Sequence, residues 1–461
     1  MTEFLRRTDA VVWGPGMLGF MLGTGLYLLI RLRFLPIRNL GYALRCVIGR
    51  EKGSGQSGEI SPLASLTTEL AATIGTGNIV GVATAMVLGG PGALLWMIAA
   101  AVAGLSTKFA ESMLSVKYRV RNGSGSLVGG PMYTLQRAIP CRWLGSLLGG
   151  LFAVFAVFAS FGMGNMTQSN SIASSLNETF GISKAKIGLI LTIVVILTVL
   201  GGIRSISKFA LYLVPCMAIF YIAGSGAVII SHWEQLPGGL MEIIRSAFST
   251  EAAVGGAGGT AVITMQSAIR WGVSRGVFSN EAGLGAGGIT AAAAHTDSPV
   301  RQGYISMTGV FFDTIVICTL TGLAIVCSGV LGMTDDKGVM LTGTALTIAA
   351  FSTVFGRMGG CFVSVGITLF AFATIIAWEY QGERAFEYLV RKRKYCLCYR
   401  FIYALITFAG AVCTLEAVWD FSDIMNALMA VPNLTGVLLL AGVVCADMRS
   451  YEDKIRKNQQ N

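Results

Sequence analysis

Four consecutive residues in the middle of one apolar segment are of the types that can hold a small charged molecule: Gly75, Thr76, Gly77 and Asn78. The surrounding segment, residues 62–89, is long enough to cross a bilayer. Glycine is a poor helix former, so we expect the helix to be interrupted at 75–78. Within lipid, the N–H and C=O groups of such a break must be covered by protein or by a watery cavity. The break is therefore predicted to bind an ion or a charged ligand.

Other polar side chains within apolar segments are candidates for the same site. The Asn78 amide either contacts the ligand or shapes the break, since an unpartnered amide is costly there. Gln168 lies near Asn165 and Asn170, and these amides indicate either a polar face towards a cavity or hydrogen bonds between helices. Met265 either faces the pocket or packs, and the same holds for Gln266.

Carboxylates within predicted spans are functional candidates by default, and Glu69, Glu111 and Asp313 are such cases. Glu69 lies about six residues before the break, where it would either pair with a cation, carry a proton or sit near the cytoplasmic interface. The sequence leaves these alternatives open.

The composition is that of a polytopic membrane protein, because 54% of the 461 residues are hydrophobic and only 13% are charged. The net charge of +10 is not concentrated in a basic domain, which argues against nucleic-acid binding. Ten cysteines and two histidines show no metal-ligand spacing, so we expect reduced thiols without a function. No zinc pattern or Ser/His pair lies within the spans, so neither an enzyme nor an organic cofactor is predicted.

Eleven apolar runs are long enough to be membrane spans. They lie near residues 11–32, 62–89, 91–116, 143–176, 186–203, 208–231, 238–275, 302–331, 358–382, 399–416 and 424–446. Assigning the loops alternately places 27 of the 34 Lys and Arg residues on one side, Arg270 and Arg275 among them. The positive-inside rule then predicts an outside N-terminus and a cytoplasmic C-terminus.

Ten of these spans divide into two sets of five once the first is set aside. The predicted organisation is 1–60 for the extra helix and a basic loop, 61–236 and 237–446 for the two repeats, and 447–461 for a cytoplasmic tail. A second glycine break is predicted at 255–259, in the first helix of the second repeat. Five is odd, so the halves are inverted, and inverted repeats with discontinuous first helices are typical of secondary transporters.

A third glycine-rich stretch, residues 283–288, follows Ser279, Asn280 and Glu281 and competes for the role of the second break. Its polar flanks favour a cytoplasmic loop or gate. There we expect Glu281 to form a gating salt bridge with Arg275 or Arg270.

Several stretches in the same order resemble the alanine or glycine:cation symporter family, also called sodium:alanine symporters. The stretches are AATIGTGNIVGVATA (71–85), GGPGALLW (89–96), TKFAES (107–112), GGPMY (129–133), GNMTQSNSIA (164–173), GVSRGVFSNEAGLGA (272–286), RQGYISMTGVFFDTIVICTLTGL (301–323) and TIIAW…GER (374–384). The resemblance implies an all-α, LeuT-like fold with one extra N-terminal helix. It also implies uptake of small neutral amino acids driven by sodium or, in some cases, protons.

The residues agree with that implication. The N-terminal end of the half-helix near Gly77 offers free N–H groups to a carboxylate. Carbonyl oxygens near Ala72 and Gly75, with the Thr374 hydroxyl, are suitable ligands for sodium. By resemblance, Gln168 matches a substrate-contacting glutamine. Trp378 likewise matches a tryptophan of the pocket, although a tryptophan at the membrane interface is the alternative.

The chain departs from the family pattern at two places. Ala373 replaces the first residue of a Ser-Thr pair, which removes one possible sodium oxygen. Ala257 replaces a phenylalanine, so we expect a roomier pocket that accepts side chains larger than a methyl group. The predicted substrate site comprises Gly75, Thr76, Gly77, Asn78, Gln168, Gly256, Ala257, Met265 and Trp378, and the predicted sodium site comprises Ala72, Gly75 and Thr374.

The function that fits best is sodium-coupled symport of small neutral amino acids, alanine or glycine first, across the cell membrane. One alternative is a proton-coupled transporter of the same fold or one of wider specificity, for serine or glutamine. Another is a channel or sensor that binds an amino acid without pumping it. An intramembrane enzyme is disfavoured by the missing catalytic patterns.

Overall fold

The computed structural model describes residues 2–49, 58–123, 125–249, 252–256, 259–263 and 265–460. The helices are α1 (Thr2–Val12), α2 (Pro15–Arg31), α3 (Leu35–Arg38), α4 (Leu40–Ile48), α5 (Pro62–Thr73), α6 (Val80–Gly89), α7 (Ala93–Lys117), α8 (Pro131–Ala138), α9 (Arg142–Phe161), α10 (Thr167–Phe180), α11 (Lys184–Val199), α12 (Gly202–Ser231), α13 (Leu236–Phe248), α14 (Met265–Asn280), α15 (Ala286–Ala291), α16 (Pro299–Val310), α17 (Thr319–Cys327), α18 (Gly343–Phe355), α19 (Met358–Val390), α20 (Cys396–Val412), α21 (Leu415–Leu439) and α22 (Ala441–Gln460). Two antiparallel hairpins, β1 (Val120–Arg121) with β2 (Leu127–Val128) and β3 (Ala252–Gly256) with β4 (Gly259–Ile263), complete the fold.

Several helices are long and apolar enough to cross a membrane. Within the described ranges these are 93–117, 142–180, 202–231, 299–327 and 358–390, and two bent pairs of helices raise the number from five to seven. The predicted spans 62–89, 186–203, 238–275 and 399–416 correspond to shorter or interrupted helices, namely α5 with α6, α11, α13 with α14, and α20. The all-α membrane architecture is confirmed, whereas the number eleven stays a prediction.

Helix α11 shows how a helix is oriented between the protein and lipid. Leu191 and Val195 are buried, whereas Ile193 and Leu197 are 50% and 70% exposed on the other face. Apolar side chains on both faces are expected of a helix that packs against protein on one side and lipid on the other.

The first predicted break is present between α5 and α6. Ser61 starts α5, because its hydroxyl accepts the Ala64 N–H at 3.1 Å and Pro62 follows at the first helical position. The α-helix ends at Thr73, a single 3₁₀ turn covers Thr76–Asn78, and α6 begins at Val80. The prediction of an interruption at 75–78 is confirmed.

The second break is not where the sequence placed it. Residues 252–256 and 259–263 form the hairpin β3–β4 between α13 and α14, so the prediction of a helix broken at 255–259 is wrong. The interruption lies at 281–285, between α14 and α15, and the interpretation of that stretch as a cytoplasmic loop is also wrong. Glu281, Gly283 and Gly285 have φ of 57°, 95° and 82°, which a helix cannot contain.

Two π-helical turns, each joining two helices end to end, lie near the breaks. Residues Gly162–Met166 connect α9 to α10, and residues Phe311–Cys318 connect α16 to α17. Such turns release backbone groups from the regular helical pattern and are frequent at functional sites. Helix α14 packs against α6 and α7, and α15 packs against α5 and α7, so the two breaks lie side by side.

Candidate functional site

The first break is held by two side-chain amides. The Gly75 N–H donates to Asn78 Oδ1 at 2.9 Å, and the Thr76 N–H donates to Gln168 Oε1 at 3.1 Å. Gln168 Nε2 in turn donates to the carbonyl of Met163, within the first π-helical turn, at 3.0 Å. The structure therefore brings together Asn78 and Gln168, which the sequence proposed as site residues from different segments.

The two glycines of the break lie in close contact with their neighbours. A Cβ at Gly75 would lie 2.6 Å from Thr374 Oγ1 and 3.0 Å from Gln168 Oε1. A Cβ at Gly77 would lie 3.0 Å from the Ser279 Cα, near the end of α14. A methyl group at Gly75 would force Thr374 to shift, and one at Gly77 would require its neighbours to move by a few tenths of an ångström, so both positions favour glycine.

The predicted sodium ligands lie beside the same turn. Thr374 Oγ1 donates to the Ala71 carbonyl at 3.0 Å and to the Phe370 carbonyl at 3.1 Å, and Ala72 is fully buried next to Ala71. The Thr76 hydroxyl is buried and has no hydrogen-bond partner within the part of the chain that the structure describes. A buried hydroxyl without a partner is costly, which indicates a place for a ligand oxygen.

Asp313 organises the other side of Asn78 and carries more of the site than the sequence indicated. Asn78 Nδ2 donates to Asp313 Oδ1 at 2.8 Å and contacts Cys318 Sγ at 3.3 Å. Ser279 Oγ and Thr314 Oγ1 each donate to Asp313 Oδ2 at 2.8 Å. An acid within an apolar span was the available signal for Asp313, whereas nothing in the sequence singled out Ser279 or Cys318.

Trp378 links α19 to the second break. Its side chain is 1% exposed, which excludes the alternative of a tryptophan at the membrane interface. Trp378 Nε1 donates to Glu281 Oε1 at 2.6 Å, and a Cβ at Gly164 would lie 2.4 Å from the Trp378 Cβ. Trp378 therefore packs between the first π-helical turn and the second break.

The predicted salt bridge of Glu281 with Arg275 or Arg270 is wrong. Arg275 instead makes a bidentate pair with Asp423 of α21, with N–O distances of 2.6 Å and 3.2 Å. Arg270 lies 3.9 Å from Asp9 of α1, so both arginines lie at the end of the molecule that carries α1. The loop assignment that placed them on the opposite side is wrong, because residues 238–275 are not one span: α14 begins at Met265, so Arg270 lies near the start of a helix instead of at the end of one.

A buried ionic cluster supports the second break. Lys108 Nζ lies 4.0 Å from Glu111 Oε1, and Glu111 Oε2 accepts a hydrogen bond from Asn433 at 2.9 Å. Asn433 also donates to the Gly283 carbonyl at 2.9 Å. A Cβ at Gly287 would lie 2.4 Å from Lys108 Nζ and 3.5 Å from Glu69 Oε2, so Glu69 is buried beside this cluster rather than at an interface.

One further predicted site residue, Met265, lies far from the break. Met265 begins α14, and Ser279, which contacts Gly77, lies 14 residues later, or about 21 Å along the helix axis. Gly256 lies in β3, before Met265 in the chain. Met265 is therefore removed from the substrate site, the place of Gly256 in that site stays a prediction, and Ala257 lies outside the described residues.

These features together define a class of protein. Two interrupted helices side by side, with backbone groups, amides and hydroxyls turned towards the interruption, are the arrangement of secondary transporters. The crystal structure of MhsT in complex with L-phenylalanine superposes with a TM-score of 0.61 at 13% identity, covering 86% of this chain and 93% of that one. The fold is therefore LeuT-like, as the resemblance implied.

The sequence comparisons give the particular family. A model of the sodium:alanine symporter family matches residues 1–461, so the chain belongs to that family. The sodium/alanine symporter AgcS of Methanococcus maripaludis is 45% identical over 99% of this chain and 98% of its own length. The probable sodium/glutamine symporter GlnT of Bacillus subtilis is 37% identical over 96% of this chain and 88% of its own length. The chain is a multi-pass membrane transport protein.

Proposed function

We propose that this protein imports a small neutral amino acid together with sodium by alternating access, and that alanine or glycine is the preferred substrate. The observation that carries the proposal is the break at 75–78, where the partnerless Thr76 hydroxyl and the backbone lie against Gln168 and Thr374. A zwitterion needs donors for its carboxylate and acceptors for its ammonium group, and a broken helix with amides supplies both.

The sodium ion is proposed to bind between α5 and α19. Sodium prefers oxygen ligands, and the carbonyl oxygens of Ala72 and Gly75 lie next to the Thr374 hydroxyl in this proposal. The Thr374–Ala71 hydrogen bond of 3.0 Å supports it, because it holds the two helices at the spacing that shared oxygen ligands require. Ala373 has no side-chain oxygen, so Thr374 is the proposed side-chain ligand on α19.

Close packing supports a small substrate. The distances from a Cβ at Gly75 and Gly77 leave little room around the break, and Trp378 closes one wall. Transport of larger neutral amino acids is the second candidate function, since the relative GlnT is named for glutamine. If Ala257 lines the pocket, its small side chain would leave more room there than a phenylalanine. A contribution of Ala257 therefore stays a prediction.

Alternating access needs a gate on each side of the break. On the α1 side the proposed gate is the Arg275–Asp423 pair, which joins α14 to α21. On the other side Arg119 donates to the carbonyls of Ala294 at 2.9 Å and Thr296 at 2.6 Å, which ties the end of α7 to the segment after α15. We propose that these contacts open in turn.

Uptake of labelled alanine by purified protein in proteoliposomes tests the proposal. Accumulation above the external concentration is expected with an inward sodium gradient and not when choline replaces sodium. Accumulation with an inward proton gradient in choline would favour the proton-coupled alternative. Equilibration without accumulation under either gradient would favour a channel, and binding without flux would favour a sensor.

A further inference from the structure

The first helix, α1, lies outside the two predicted five-helix repeats and reaches the proposed gate. Trp13, at the 41° bend between α1 and α2, is 2% exposed, and its Nε1 donates to the backbone carbonyl of Asp423 at 3.0 Å. Asp423 is the same residue whose carboxylate holds Arg275. The extra helix is therefore hydrogen-bonded to one half of the gate pair.

A second contact joins α1 to the other half. Asp9 is 8% exposed and its carboxylate lies 3.9 Å from the guanidinium of Arg270, five residues before Arg275 on α14. Two acids on α1 and α21 thus face two arginines on α14. Because Trp13 holds α21 and Asp9 faces α14, α1 spans the two helices that must separate when the pair opens.

Two aromatic rings connect the Arg275–Asp423 pair to the first break. The Arg275 guanidinium lies 4.7 Å from the ring centroid of Trp419, and that ring stacks on Phe278 at 4.8 Å. A Cβ at Gly77 would lie 3.3 Å from the Phe278 ring. Movement of Arg275 away from Asp423 would therefore also release the aromatic pair that lies over the break.

We propose that Trp13 and Asp9 are positioning residues for the Arg275–Asp423 pair, so that α1 sets the balance between the open and closed gate. The inference rests on the proposed function, in which this pair is a gate. Among the hydrogen bonds and ion pairs of the described residues, Trp13 and Asp9 bond to α21 and α14 and not to the break. Substituting them would change the population of the open state. A change in the chemistry of the binding site itself would not have this effect.

Native Cys318 provides the reporter for the test, because it is fully buried and its sulfur contacts Asn78 at the break. We would measure the rate at which a membrane-impermeant methanethiosulfonate modifies Cys318 in intact cells, by mass spectrometry, for wild type, Trp13→Phe, Asp9→Asn and Asp423→Asn. Trp13→Phe keeps an aromatic ring and removes only the N–H donor. The matched control is Trp143→Phe, since Trp143 is 72% exposed on α9.

We expect Trp13→Phe to raise the modification rate about fivefold, because loss of one hydrogen bond shifts an equilibrium by about that factor. Asp9→Asn should act in the same direction, Asp423→Asn more strongly, and Trp143→Phe not at all. Acceleration by Asp423→Asn with wild-type rates for Trp13→Phe and Asp9→Asn would overturn the role of α1. Equal rates in all variants would overturn the gate as well.

Sodium-driven alanine uptake measured in parallel separates this inference from the proposed function. If the wild type shows no sodium-driven uptake but Trp13→Phe is modified faster than the wild type, symport is refuted and the gate is retained. Equal amounts of each variant at the cell surface, and full modification of Cys318 after denaturation, exclude unfolding as the cause of a faster rate.

Discussion

At the scale of single residues, the amides that hold the first break lie beside the Asp313 carboxyl. Asn78 accepts from the Gly75 N–H and donates to Asp313, and Gln168 accepts from the Thr76 N–H. Each amide oxygen therefore fixes the backbone of the break. The Asn78 nitrogen reaches Asp313 in the second π-helical turn, and the Gln168 nitrogen is held by the Met163 carbonyl in the π-helical turn that precedes its own helix. Such a site holds its geometry without a bound ligand, which lowers the cost of binding.

Thr374 is the residue whose proposed role in sodium binding is easiest to isolate. Thr374→Val removes the hydroxyl and keeps the shape, so we expect the sodium concentration for half-maximal alanine uptake to rise about tenfold. Uptake at saturating sodium should stay close to that of the wild type. The sodium dependence of initial rates in proteoliposomes measures this.

The control for Thr374→Val lies on the same helix. Thr368 also donates its hydroxyl to a helical carbonyl, that of Ser364 at 2.7 Å, but it has no contact with α5 among the hydrogen bonds of the described residues. Thr368→Val should leave the sodium dependence unchanged. A similar shift in both variants, or none in Thr374→Val, would remove Thr374 from the sodium site.

At the scale of elements, the first break depends on a glycine that is surrounded by side chains. Gly75→Ala would place a methyl group 2.6 Å from Thr374 Oγ1 and 3.0 Å from Gln168 Oε1, so these groups must move apart. We expect sodium-driven uptake to fall at least a hundredfold, because displacements of about 1 Å at a positioned site have effects of that order. Initial uptake rates, corrected for the amount of reconstituted protein, measure it.

Gly81 is the matched control in the neighbouring half-helix. The nearest atom to a Cβ at Gly81 is the Thr76 carbonyl oxygen at 3.9 Å, an ordinary contact, and alanine favours the helical conformation of α6. Gly81→Ala should retain wild-type uptake. If both alanine variants transported equally well, the packing around Gly75 would have no part in function.

The elements also show why one break was predictable and the other was not. The first combines two glycines and an asparagine within a single apolar run, so local propensity indicated it. Two glycine-rich stretches, 255–259 and 283–288, competed for the second break, and propensity does not decide between them. The positive φ of Glu281 and Gly283, and the Asn433 hydrogen bond to the Gly283 carbonyl, belong to the packed structure.

At the scale of the whole molecule, the distribution of basic residues predicts an outside N-terminus and a cytoplasmic C-terminus. Cys141 and Cys398 are exposed and lie in segments predicted to be cytoplasmic. An impermeant thiol reagent should therefore modify both in inside-out vesicles and neither in intact cells. Ser183→Cys, in an exposed segment predicted to lie outside, should be modified in intact cells. The reverse pattern would invert the proposed topology.

The sequence by itself determined the membrane class, the break at 75–78, the family resemblance and several residues of the site. Composition, the length of apolar runs and short motifs carry that information locally along the chain. Only the tertiary structure decided the position of the second break, the pairing of Arg275 with Asp423 and the contact of Trp13 with Asp423 across 410 residues. Such contacts depend on which helix faces pack together, and a packing choice between distant segments leaves no pattern in either segment alone.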